Sequence, residues 1–144
     1  MPDRLGFTLI EVLLVVSIMA VASLIVVPVS IDYQQRNDLD TSQITFAQSI
    51  RRAQQLSMSG EGDSAWGVNA VSGEVVIFKG NTYATRDTTY DENYDISLAI
   101  TFAGQLEYDF AKVTGLPAQT GTATFTDNSY QKQVVVNAKG IVNY

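Results

Sequence analysis

A chain of 144 residues, 46% of them apolar, has the size of one ordinary domain, and a formal charge of −6 with nine Lys or Arg disfavours nucleic acid as its main partner. There is no Cys and no His, which excludes disulfides, thiolate or His-based metal sites and Ser-His or Cys-His nucleophiles. The apolar residues are unevenly spread. From Val12 to Val29 only Ser17, Ser23 and Pro28 interrupt them, whereas the rest of the chain is rich in Thr, Asn, Gln, Tyr and Gly.

The first element is therefore an apolar helix over residues 7–29. At about 1.5 Å per residue it would run roughly 35 Å, enough to cross a bilayer. The run is longer than the core of a secretory signal peptide, and Ser30-Ile31-Asp32-Tyr33 behind it is no cleavage site. Arg4, the one cation before it, points the N-terminus to the cytoplasm. Glu11 is out of place in such a run. A central acid costs about 2.5–3.5 kcal/mol on insertion, so either Glu11 stays wet among the headgroups or it meets a cation, and the run itself holds no Lys or Arg.

The residues around Glu11 suggest the cation. The stretch Arg4-Leu5-Gly6-Phe7-Thr8-Leu9-Ile10-Glu11 resembles the processing site of type IV prepilins, a short polar leader ending in glycine followed by Phe, with Glu fifth in the mature chain. Pro28 falls where many pilins carry a proline, and in a helix interior it removes one backbone bond. The resemblance implies that residues 1–6 are a leader, that a membrane prepilin peptidase cuts after Gly6 and that Phe7 becomes N-methylated. The new amine would have a pKa near 8. In the family Glu11 would pair with the amine of a neighbouring subunit, a group costly alone and compensated on docking.

Beyond the apolar run, Leu39, Phe46, Ala47, Ile50 and Ala53 recur at helical spacing. They predict an amphipathic helix over residues 30–59 that continues the first, about 50 residues or roughly 75 Å in all. Gly60 is placed to cap it. Residues 60–144 then predict a β-rich head of about seven strands. Trp66, Val68 and Ala70 share a face, and a turn at 71–74 leads into Val75-Val76-Ile77-Phe78. Residues 83–92 read as a loop or edge. Ile96, Leu98, Ile100 and Phe102 alternate as a strand, as do Leu106, Tyr108 and Phe110, and three short strands follow from Thr122 to Tyr144. Short turns imply antiparallel pairing, so the fold class is α+β, a long N-terminal helix packed on an antiparallel β-sheet.

The order of strands in the head also resembles the minor pseudopilins and the competence minor pilins. Taken together, the resemblance implies a structural subunit of a type IV pilus, type II secretion pseudopilus or competence filament, not an enzyme. Its partners would be other pilin or pseudopilin subunits, the prepilin peptidase, an inner-membrane assembly platform and membrane lipid. It would sit first in the bacterial inner membrane as a single-pass precursor with its head outside the cytoplasm, then in the filament. The alternative is a minor pilin specialised for DNA uptake or surface adhesion. The family's DNA-binding members use C-terminal arginines where this chain has only Lys139, and the tyrosines Tyr83, Tyr90, Tyr94, Tyr108, Tyr130 and Tyr144 are candidates for an adhesive patch, set against plain half-buried packing on the sheet. The chain asks for no cofactor. Asp87, Asp91 and Asp95, with Glu92 and Asn93, are dense enough in oxygen to be a Ca²⁺ candidate, set against a plain solvated acidic loop.

Overall fold

The computed structural model describes residues 7–127 and 130–144, the side chains of 24–30 excepted. The helix α1 spans Leu9–Ser59. The chain divides into two units, Met1–Gln35 and Arg36–Tyr144.

In the second unit α1 presents the amphipathic stripe that its spacing predicts: Leu39, Phe46, Ala47, Ile50 and Ala53 are all buried. They share one core with Trp66, Val68, Ala70, Val75, Ile77, Tyr108, Phe110, Ala123, Phe125, Val134, Val136 and Val142. Phe46 is its hub, with ring centroids 5.2 Å from Phe125 and 6.2 Å from Tyr108. Polar side chains of the helix fix its seat on the sheets. Gln43 Nε2 donates to Gln133 C=O at 2.8 Å, Gln54 Nε2 to Gly115 C=O at 2.9 Å, and Ser57 Oγ accepts from Trp66 N–H at 2.8 Å. The helix ends as Gly60 turns to φ +69, a left-handed conformation that costs glycine nothing.

The strands among the described residues are β1 Trp66–Val71, β2 Glu74–Lys79, β3 Asp87–Asp95, β4 Thr101–Gly104, β5 Glu107–Phe110, β6 Gly121–Asp127, β7 Tyr130–Val136 and β8 Val142–Asn143. All pair antiparallel, so the class is α+β. The head corrects the sequence reading in two ways. Among the described residues eight strands stand where about seven were expected, and they form two four-stranded sheets, β3-β2-β1-β5 and β4-β6-β7-β8, rather than one.

The stretch 96–102 is a further correction. Its alternation predicts a strand, but β4 starts only at Thr101, and the residues before it form the turn that passes from one sheet to the other. Ile96 and Ile100 reach the core from that turn, while Leu98 is left 77% exposed. Residues 83–92 are partly strand: a single turn over Tyr83–Thr85 precedes β3, which is the edge of its sheet.

The run Val75-Val76-Ile77-Phe78 is buried throughout because both faces of its sheet are covered. Val75 and Ile77 face the helix, and Val76 and Phe78 lie outside that core. Tyr83 stacks edge-on against Phe78 at 5.7 Å, Arg86 stacks on Tyr83 at 3.7 Å, and Arg86 Nε donates to Asp91 at 2.8 Å. Gly67 makes room for this layer, since a Cβ there would sit 2.4 Å from the Phe78 ring.

Candidate processing and assembly site

The N-terminal unit buries none of its described apolar side chains. Phe7, Leu9, Ile10, Val12, Leu13, Leu14, Val15, Val16, Ile18, Met19 and Val21 are 47–83% exposed. So much uninterrupted apolar surface marks a segment built to lie against protein or lipid. Its two described serines are consistent with such a setting. Ser17 Oγ donates to Leu13 C=O at 2.7 Å and Ser23 Oγ to Met19 C=O at 2.8 Å, so neither hydroxyl needs an outside partner.

Phe7 is 83% exposed and precedes the helix. Glu11 stands exposed in the first helical turn, where the partial positive charge of the helix N-terminus favours an acid. An open apolar groove of about 230 Å³ runs beside it, lined by Phe7, Glu11, Val12, Val15 and Val16. Gly6 lies outside the described residues, as do the side chain of Pro28 and the leader 1–6. Among the described residues no helix is long and apolar enough to cross a membrane. The span read over 7–29 runs into residues whose side chains are outside that description.

The remaining candidates lie in the head, where the geometry disperses them. Asp91 and Asp95 are four residues apart on β3, roughly 13 Å along an extended strand. Asp87 Oδ1 accepts the N–H of Thr89 at 3.1 Å, and Asp91 is held by Arg86. Among the described residues no group of three or more His, Cys, Asp or Glu could hold a metal ion. Density of acids in sequence did not become convergence in space, because a strand spreads what a tight loop would gather.

The tyrosines do not form one patch either. Tyr108 is fully buried, and burial pushes its phenol up to about 12. Tyr130, Tyr144, Tyr90 and Tyr83 lie under Arg36, Arg51, Lys79 and Arg86 respectively, at 3.7–5.1 Å from ring centroid to cation. Tyr94 donates to Glu92 at 3.0 Å. Arg52 grips the same Glu92 with two bonds of 2.6 and 2.7 Å and holds its carboxyl below the usual carboxylate range. Sequence reading missed this tie between α1 and β3, because partners 40 residues apart leave no local signal.

No curated protein and no solved structure matches this chain. Residues 1–27 match the family model of the prokaryotic N-terminal methylation motif, so the N-terminus of this chain carries the type IV prepilin signature.

Proposed function

We propose that this chain is a structural subunit of a type IV pilus-like filament, a pilin or pseudopilin, cut after Gly6, N-methylated on Phe7 and assembled through its N-terminal helix. The observation that carries the reading is the methylation motif over residues 1–27. It marks a structural class of protein rather than a catalytic one. The exposed apolar surface of the first unit supports it, because that surface needs lipid in the precursor and neighbouring helices in a filament. In this reading residues 7–29 anchor the precursor in the inner membrane with the head outside the cytoplasm.

Glu11 is then the docking group. Unpaired in lipid it is costly, and the amine released at Phe7 of a neighbouring subunit offsets that cost when the two meet. The groove beside Glu11 gives the neighbour's end an apolar seat. DNA capture is the less favoured specialisation, since many head cations are engaged within the chain. Arg52, Arg86, Lys112 and Lys132 pair with Glu92, Asp91, Asp63 and Asp40.

Glu11→Gln tests the reading, because it keeps the shape and deletes the charge. The variant should still be cut and should accumulate in the membrane, but it should be missing from filaments. Assembly equal to the parent's at neutral pH would remove the charge-pairing account.

A further inference from the structure

The start of α1 is set by a side chain. Thr8 stands just before the helix, and its C=O accepts the N–H of Glu11 at 3.1 Å and of Val12 at 3.2 Å. Its Oγ1 accepts the same Glu11 N–H at 3.3 Å. A hydroxyl residue whose carbonyl takes the first helical bond and whose oxygen takes the third helical N–H is an N-cap. Thr8-Leu9-Ile10-Glu11 also has the spacing of a capping box, with the acid at the third helical position. The first N–H groups of a helix have no partner within it, and in apolar surroundings water is not there to serve.

We propose that Thr8 is a positioning residue for processing. By capping α1 it holds the first helical turn closed, so that the helix end beside the bond to be cut, the one before Phe7, keeps one fixed geometry. The same cap holds the backbone of Glu11 in the first turn, which fixes where its carboxylate stands. The inference rests on the processing reading above.

Three variants of the full-length precursor in detergent micelles, incubated with purified prepilin peptidase, test it. Thr8→Val is nearly isosteric but cannot accept the bond. Thr8→Ser and Thr8→Asn differ from threonine in shape, and both cap helices well. A peptidase that reads the shape of this side chain would cut the Val variant and reject Asn; a capping role predicts the reverse. We expect Thr8→Val to be cut about fivefold more slowly, the factor that a lost N-cap of ~1 kcal/mol corresponds to, with Ser and Asn at the parent's rate. Amide hydrogen exchange at Glu11 in the uncut precursor should rise by a similar factor in Thr8→Val and stay unchanged in Asn. Parent-like cleavage and exchange in Thr8→Val would overturn the role of Thr8 while leaving the processing reading intact. A parent chain that is itself left uncut after Gly6 would overturn both.

Discussion

The two units of this chain use the same kind of residue in opposite ways. In the head, apolar side chains at helical spacing are closed off by two sheets, so that Leu39, Phe46, Ala47, Ile50 and Ala53 are 0–1% exposed. In the N-terminal unit, apolar side chains predominate over residues 12–23, and the chain buries none of those described. A helix that is apolar on one stripe is completed within its own fold; one that is apolar all round needs an environment from elsewhere. The head therefore holds its own stability, while the described apolar surface of the arm is left open.

Substitution separates the two sharply. Phe46→Ala empties the hub of the core and should lower head stability by about 3–5 kcal/mol. Leu13→Ala, a comparable truncation in the arm, should leave head unfolding unchanged. Urea denaturation of the full chain in mild detergent, followed by Trp66 fluorescence, measures both. A large effect of Leu13→Ala on that transition would break the division.

A smaller effect has the opposite sign. The Tyr108 hydroxyl is buried with no hydrogen-bond partner among the described residues. Tyr108→Phe removes that group with little change of shape and should stabilise the head by about 1 kcal/mol. The folded phenol titrates at about 12 and the free one at 10.0, so the parent's stability is complete below pH 10 and falls as pH rises from there toward 12. Tyr108→Phe should flatten that part of the fall when the two proteins are unfolded across this range.

The smallest effect concerns the tie between α1 and β3. The folded Glu92 carboxyl lies below its ordinary value of 4.5, its bond to Arg52 being the main cause. The stabilisation is thus present above pH 4.5 and lost as pH falls through the lowered value. Half of the Arg52 side chain is exposed, so Arg52→Gln should cost about 0.2–1 kcal/mol at pH 7. The gap in stability between parent and variant should be smaller at pH 3 than at pH 7. A cost that persists unchanged at pH 3 would point to packing of the Arg52 stem instead.

What the sequence disclosed follows the range of each interaction. The core stripe of α1 was legible because five residues repeat one period, and the β1–β2 hairpin because its turn is local. The division into two sheets was not legible, since alternation tells which face a residue takes and not which sheet it joins. Ile96 and Ile100 alternate like strand residues yet pack from a turn, because burial alone produces the same pattern. At the candidate site the motif from Gly6 to Glu11 was legible as a whole, while the cap made by Thr8 is a matter of bonds that only the structure displays. The aspartates 87, 91 and 95 were read by their density, and the extended strand that carries them sets them apart.

The central claim is that this chain is processed at its N-terminal motif before it is used. Intact-mass and N-terminal peptide mass spectrometry of the protein isolated from its native cells tests that claim most directly. The account predicts a chain beginning at Phe7 and carrying one added methyl group on its amine. A protein recovered from assembled filaments with residues 1–6 still attached would contradict it.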